Sequence, residues 1–535
     1  MNRRQILRGA AATFAVTGLA GRTMLRAQAP SPVGETRTGR IRGFVDRGIN
    51  VFKGIPYGAD TAPRRFMPPL PAAAWAGIRD ATNFGPRAPQ PGSGQTRRTG
   101  FASPPDLGEV SEDCLCLNVW SPALRDGGKR PVMVYFHGGA YNTGSVTNTL
   151  YDGVNLCRRG DVVVVTVNHR LNLFGYLYLA ELDAELADSG NAGMLDLVLA
   201  LEWVRDTIEN FGGDPSRVLI FGQSGGGAKC ATLMGMPAAR GLFHRVITMS
   251  GQQITASRPQ SAAARTRTVL AAMQVNPARA AELRAMPMQK LIEASRAVSY
   301  YGPVKDGRTL VRDPFDPDAP PISADVPMIL GNTHDETRYL IGGGDATTFE
   351  LTWDTLPAKL AQNGQFLGTL NQDYVIRQYR EMYPAYSASD VFFAATTASR
   401  SWRGQLIEAE RRAAQPIAKE HTWVYELDWQ SPVDGGKWGA PHTLDIPLAF
   451  GNVEVADQMT GDGPEARSLA ALMSGTFIEF ARKGEPNHPG LPHWSPYGLD
   501  KRETMSFQAQ SKLVNDPRGR ERRLVEQVPY TQPGT

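Results

Sequence analysis

Cysteine is scarce in this chain of 535 residues: Cys114, Cys116, Cys157 and Cys230 are all it has. So few thiols exclude a disulfide scaffold, and a chain this long must be held by an ordinary hydrophobic core. Cys114 and Cys116, two apart in an expected strand, share a face but are badly placed to bridge each other. Free buried thiols are expected, with one long-range bridge left open. Metal-ligand spacing of the H-E-x-x-H kind is missing, so neither a metal nor an organic cofactor is expected. A long apolar run is missing too. The stretch from Ala10 to Ala20 falls short of the roughly 20 residues that cross a bilayer, so no membrane span is expected. The formal charge is +4, but residues 1–29 hold Arg3, Arg4, Arg8, Arg22 and Arg26 and no acidic residue. The remainder carries 52 basic against 53 acidic residues, a net of −1. A chain so near neutral is not expected to bind nucleic acid.

What is present is a globular composition, 41% hydrophobic and 21% charged, with ample material for a core. The opening "MNRRQILRGAAATFAVTGLAGRTMLRAQAP" joins paired arginines, a modest apolar stretch and a small-residue end. That order reads as an export signal over residues 1–29, and "NRRQIL" resembles the twin-arginine kind, so a periplasmic or secreted bacterial protein is expected. Cleavage after Ala29 fits the small-x-small rule, with Pro30 following the cut.

Length argues for several domains, yet no repeat or linker divides residues 30–535. "GRIRGFVDRGINVFKGIPYG" alternates short β-prone runs with Gly and Pro, which suggests antiparallel strands. Arg87 to Val110 is rich in Gly, Pro, Ser and Thr and reads as a surface loop. "PVMVYF", "DVVVVTV", "VLIF" and "RVITM" have the character of buried strands, and "VPMIL" and "TWVYELDW" follow later. Helical patterns lie between them, notably "GMLDLVLALEWVRDTIENF", where Leu195, Leu199, Val204 and Ile208 fall near one face. This alternation predicts an α/β fold: one large domain with a mostly parallel sheet covered on both faces.

"RVLIFGQSGGGAK" carries the chemistry. A strand gives way to glycines around Ser224, and a helix follows. As a phosphate loop it fails, because Ala228 stands where Lys must follow Gly227 and Cys230 lacks a magnesium-binding hydroxyl. As a packing point, its glycines would only bring helix close to sheet. As a nucleophile elbow, a strained turn exposes the Ser224 hydroxyl, and Gly222 and Gly226 remove the β-carbons that would clash. The helix N-terminus behind it presents free N–H groups to a developing oxyanion. "VYFHGGAYNTG", a strand running into two glycines, reads as an oxyanion loop.

An elbow serine needs an acid and then a histidine later in the chain. His244 and His421 flank strands and read as structural, while His488 and His493 lie in a Pro-rich tail. His442, in "GAPHTLDIPLAFGN", lies on a loop after a strand, where exposure suits a base. "VPMILGNTHDE" ends a strand with Asp335 and Glu336 side by side, and alternation sends them in different directions. The residues alone leave the choice between them open.

At these residues the chain resembles the type-B carboxylesterase family of the α/β-hydrolase fold, which includes para-nitrobenzyl esterases, cholinesterases and the non-catalytic neuroligins. The likeness runs from about Thr36 to Glu526, through "FKGIPYG", "SEDCLCLNVWSP", "HGGAY", "NHRLNLFGYL" and "EPNHPGLPHWSPY". It implies Ser224 as nucleophile, Glu336 as acid and His442 as base. It also implies Gly139, Ala140 and Gly225 as oxyanion donors, with Gly138 shaping their turn. Asp335 is then expected to pair locally.

Three departures from that family matter. Gln223 replaces a glutamate, and the lost negative charge weakens any preference for cationic substrates. Ala88 stands near the usual disulfide partner of Cys114, and the loop carrying a choline-contacting tryptophan is missing; Trp75 has a structural-looking context. Gly225 replaces the usual alanine, which keeps the N–H donor but loosens the turn.

The expected activity is serine hydrolysis of small to medium neutral or anionic esters through an acyl-enzyme. The expected partner is thus a small-molecule ester, and oligomeric state leaves no mark on the sequence. Carbamate or aryl-amide hydrolysis by the same triad is the rival within enzymes, and a neuroligin-like binding protein the rival outside them. The pocket walls are expected from Arg87–Val110, from around Tyr300 and Tyr301, and from near Trp402. Arg97 and Arg98 could greet an anionic substrate or simply solvate the loop.

Overall fold

The computed structural model describes residues 31–92 and 101–532. The expected export signal, Arg97 and Arg98 lie outside the described residues. From Pro32 onward the chain is one compact unit, and no helix among the described residues is long and apolar enough to cross a membrane.

Five short strands come first: β1 (Val33–Glu35), β2 (Arg40–Arg42), β3 (Phe44–Asp46), β4 (Ile49–Pro56) and β5 (Ile78–Asp80). β1, β2 and β5 form a small sheet in which β2 runs antiparallel to β1 but parallel to β5. β3 and β4 form an antiparallel pair that joins the large sheet instead. That sheet continues with β6 (Cys116–Ser121), β7 (Arg130–Phe136), β8 (Val163–Val167), β9 (Gly213–Gln223), β10 (Arg245–Met249), β11 (Met328–Thr333), β12 (Thr422–Leu427), β13 (Glu503–Phe507) and β14 (Lys512–Asn515). Its spatial order is β14-β13-β12-β11-β10-β9-β7-β8-β6-β4-β3. Pairing is parallel from β8 across to β13 and antiparallel at both margins. The protein thus has an α/β-hydrolase fold.

Alternate residues of each central strand enter different cores. Val132, Val134, Phe136, Val218, Ile220 and Val246 face one, while Met133, Tyr135, Leu219, Phe221 and Ile247 face the other. Burial on both faces explains why these strands read as continuous apolar runs rather than alternating ones. The helix Ala192–Thr207 packs against the first face through Met194, Leu197, Leu201 and Val204. Its buried stripe is offset from the expected one, since Leu195 and Leu199 are only half-buried. The helix Pro464–Lys483 covers the other face with Leu469, Met473, Phe477 and Phe480.

Because β7, β9, β11 and β12 are parallel, His137–Ala140, Ser224, Glu336 and His442 all emerge beyond their carboxyl ends. In open α/β sheets ligands bind at that edge.

Candidate active site

Ser224 joins β9 to the helix Gly225–Met234 with φ 58° and ψ −125°, a backbone region that costs a residue with a side chain on the order of 1–3 kcal/mol. Its N–H donates to Met249 O at 2.7 Å and its carbonyl accepts from Ala228 N at 3.1 Å, so the bend is clamped from both sides. A β-carbon on Gly226 would stand 2.0 Å from Phe136 O, which shows how closely the helix is drawn onto β7.

The loop His137–Ala140, where oxyanion donors are expected, is organised by its carbonyls. His137 O and Ala140 O accept from Lys229 Nζ at 3.0 and 2.9 Å. Gly138 O lies 2.8 Å from His137 Nδ1, and Gly139 O accepts from Asn142 N and Thr143 N, both at 3.1 Å. With these acceptors occupied, the N–H groups of Gly139, Ala140 and Gly225 donate to nothing among the described residues. Gly138 packs beside the elbow, where an added β-carbon would be 3.3 Å from Ser224 Cβ.

At Gly225 the structure departs from the expected loosening. A β-carbon there would stand 2.1 Å from Ala140 O, so glycine lets the oxyanion loop approach the helix more closely. Lys229, one turn further along, holds the same oxygen. This lysine is completely buried and has no acidic partner within 4.0 Å among the described residues. Burial pulls its pKa down to about 7. In the sequence, the one sign of Lys229 is a charged residue inside an otherwise apolar helix. His137 is no base: burial, then Lys229, depresses its pKa to about 3.

Glu336 begins a short helix, Glu336–Leu340, directly beyond β11. Its Oε1 accepts from Asn332 Nδ2 at 2.9 Å and Thr333 N at 3.0 Å, and Oε2 is hydrogen-bonded to His442 Nδ1. Burial pushes the carboxyl pKa up, but the charge and hydrogen bond of His442, with other donors, outweigh it and the pKa is lowered. With Nδ1–H donated to Glu336, His442 Nε2 is left with the lone pair. Gln223 Nε2, on the residue preceding Ser224, lies 3.2 Å from it. Ser224 Oγ makes no hydrogen bond to His442 among the described residues, a separation common before substrate binds. Contrary to the expected exposure, His442 is buried, with 4% of its surface accessible.

Asp335 points elsewhere and straps the histidine loop. Its N–H donates to Ala440 O at 2.8 Å, and its Oδ2 accepts from Ala440 N at 3.0 Å and faces His334 Nδ1 at 3.2 Å. Burial lowers the His334 pKa, but Asp335 outweighs it and raises the value to about 9. Among the described residues, three possible metal donors converge at His334, Glu426 and Asp428. Arg518 Nη1 already pairs with Glu426 Oε1 at 3.2 Å, which puts a cation where a metal would have to go.

Two cavities adjoin Ser224 and the oxyanion loop. One, of about 80 Å³, is lined by Ser224, Gly225 and Ala140 together with Gln253, Tyr300, Arg400 and Tyr530. The other, of about 460 Å³, lies on the histidine side, between Gln223, Thr443, Gly138 and the segments Arg87–Gly92 and Ser103–Asp106. The expected Arg87–Val110 and Tyr300 walls are therefore present, but Tyr301 and Trp402 turn into the core, and Arg400 and Tyr530 take up the wall. All four cysteines are free and buried. Trp75 is structural, with Nε1 donating to Arg40 O at 3.0 Å and its ring under Arg79.

Residues 30–524 match the model of the carboxylesterase family. A para-nitrobenzyl esterase of Bacillus subtilis (strain 168) is 32% identical over 504 residues, covering 92% of this chain and 97% of its own length. A phenmedipham hydrolase of Pseudarthrobacter oxydans is 31% identical, over 88% of this chain and 93% of its own. The crystal structure of a Geobacillus stearothermophilus carboxylesterase at pH 6.2 superposes with a TM-score of 0.81 at 36% identity, covering 92% of this chain and 99% of that one.

Proposed function

The chain belongs to the carboxylesterase family and is a carboxylic ester hydrolase, and from that premise we propose that Ser224, Glu336 and His442 form its catalytic triad. Ser224 Oγ attacks the ester carbonyl carbon while His442 Nε2 takes its proton. Glu336 keeps the other ring nitrogen protonated and stabilises the imidazolium that forms. The N–H groups of Gly139, Ala140 and Gly225 receive the oxyanion, each worth about 3 kcal/mol in related serine hydrolases. When the tetrahedral intermediate collapses, the imidazolium returns its proton to the leaving alcohol oxygen. Water, deprotonated by the same imidazole, then releases the acid from the acyl-enzyme.

The observation that carries this reading is the Glu336–His442 hydrogen bond, with the opposite ring nitrogen 3.2 Å from the side chain of Gln223, the residue preceding Ser224. Proton return also assigns the cavities: the alcohol occupies the His442 side and the acyl group the smaller cavity beyond Ser224. Neutral Gln223 on the alcohol side supports neutral or anionic esters over cationic ones. The twin-arginine-like segment at residues 1–29 supports action in the periplasm or outside the cell.

Replacing Ser224 by alanine tests the triad. Hydrolysis of a short nitrophenyl ester should fall by about 10⁴-fold or more, covalent labelling by an organophosphonate should vanish, and the thermal midpoint should barely move. Retained turnover in that variant overturns the assignment.

A further inference from the structure

Arg400 is half-buried beside the acyl cavity, without a carboxylate to pair with among the described residues. It lies in Ala398–Trp402, where the helix widens into a π turn between Ala388–Thr397 and Arg403–Ala413. Such turns occur often at functional sites. Nη1 donates to the neighbouring Ser401 Oγ at 3.1 Å, and no carboxylate comes within 4.0 Å of the guanidinium among the described residues.

The more deeply buried arginines are accounted for. Arg170 grips Asp196, and Arg518 grips Glu426 and Glu521. Arg412, which lacks a carboxylate, donates instead to Thr422 Oγ1 and to the carbonyls of Ser323 and Val326. Arg400 has five donors, one hydrogen-bond acceptor in Ser401 Oγ and the Phe366 ring 5.8 Å from its Cζ. Burial pulls its pKa down, and the charge of Glu336 works against that. Glu336 cannot serve as its partner, since its oxygens already serve His442, Asn332 and Thr333.

The cavity that Arg400 lines is about 80 Å³, room for roughly half a dozen waters. Its other walls include the amide of Gln253 and the phenols of Tyr300 and Tyr530. The Gln253 amide and the Tyr530 hydroxyl already have partners in the protein, so an alkyl acyl chain would leave chiefly the remaining guanidinium donors unmet. A carboxylate would satisfy the guanidinium in the fork geometry it favours.

We propose that Arg400 anchors a carboxylate in the acyl cavity, and that the preferred substrates are monoesters of short dicarboxylic acids. The esterified carboxyl is attacked by Ser224 while the free one seats against Arg400. This inference rests on the serine mechanism above and on its placing of the acyl group.

The test measures kcat/KM by pH-stat for the monoethyl esters of succinate, glutarate and adipate. Each is compared with the ethyl ester of similar length that ends in a methyl group. In the wild type, the best monoester should exceed its uncharged counterpart by about tenfold or more, the scale of one hydrogen-bonded charge. Arg400→Met should erase that ratio, chiefly through KM, and Arg400→Lys should keep part of it. Preference for the uncharged ester at every length overturns the proposal. So does an Arg400→Met loss that is equal for both series, which would make Arg400 an electrostatic neighbour of Glu336 only. If Arg400→Met does not fold, the wild type decides: glutarate should inhibit p-nitrophenyl acetate hydrolysis competitively and neutral glutaramide should not, and equal inhibition overturns the proposal. Wild-type hydrolysis of none of the esters defeats the serine reading as well. Hydrolysis that depends on Ser224 but shows no anionic preference defeats this inference alone.

Discussion

The two cavities around the oxyanion loop are built in different ways. The alcohol-side walls come mostly from two loops, 87–110 and 138–151, the first tied to itself by Arg87 N to Glu109 O at 2.8 Å and Ser111 N to Arg87 O at 2.9 Å. The acyl-side walls come from side chains far apart in the chain, Gln253, Tyr300, Arg400 and Tyr530, each rooted in the packed interior. One wall can change by loop substitution without disturbing the core, whereas the other is part of the core. The acid half of the substrate should therefore be selected strictly and the alcohol half loosely.

The strongest way to break this comparison is to strike the loop that runs between the two cavities, Gly138 and Gly139 lining the larger and Ala140 the smaller. Gly225→Ala places a β-carbon on Ala140 O, so the loop must move and the Lys229 bond to that oxygen must stretch. The expected loss in kcat is about 10²–10³-fold, equal for every acid and every alcohol, because an oxyanion donor is displaced. Wild-type kinetics in that variant would show that the loop does not depend on the close approach.

A smaller effect separates the two sides. Gln223→Glu puts a charge near His442 and the alcohol cavity. It should raise the kcat/KM ratio of a choline ester over its neutral dimethylbutyl isostere by about three- to tenfold, while leaving acid preference alone. A strong choline preference already present in the wild type would contradict the role given to the neutral amide.

The smallest effect concerns the stability of the acyl-side wall. Glu408 accepts a hydrogen bond from Gln253 N at 2.7 Å through Oε1, while Oε2 is buried without a partner. Burial raises its pKa from 4.5 to about 8. Between those values the folded state keeps a proton that the unfolded chain has released, so stability falls as pH rises through that window. Glu408→Gln cannot ionise and should lose this slope. Its thermal midpoint should gain about 1–3 °C on the wild type between pH 5 and pH 8.5. Parallel pH curves for the two proteins would show that the carboxyl does not titrate there.

Legibility in the sequence follows the same division. The elbow and the expected oxyanion loop are each a short contiguous motif whose glycines announce a backbone need, although the close approaches they permit are between the two motifs. The strands beneath them were legible as apolar runs. The helix Ala192–Thr207 was legible as a helix but not in its buried stripe, since packing on several sides leaves little amphipathic signal. Asp335 and Glu336 could not be separated by spacing. Their roles depend on Ala440 and His442, about a hundred residues away, to which each is bound. His442 was found but expected to be exposed. The strap from Asp335 to Ala440 helps to draw its loop inward.

The sequence by itself determined the α/β architecture, the strained serine and the glycine loop, because each follows from hydrophobic periodicity or from backbone sterics over a short span. Tertiary structure alone decided the rest. Lys229 is left to the loop carbonyls, with no carboxylate within 4.0 Å among the described residues, and Arg400 lines the acyl cavity from a π turn in its helix. A buried charge acquires its function from what surrounds it in space, and no local pattern of residues records those surroundings.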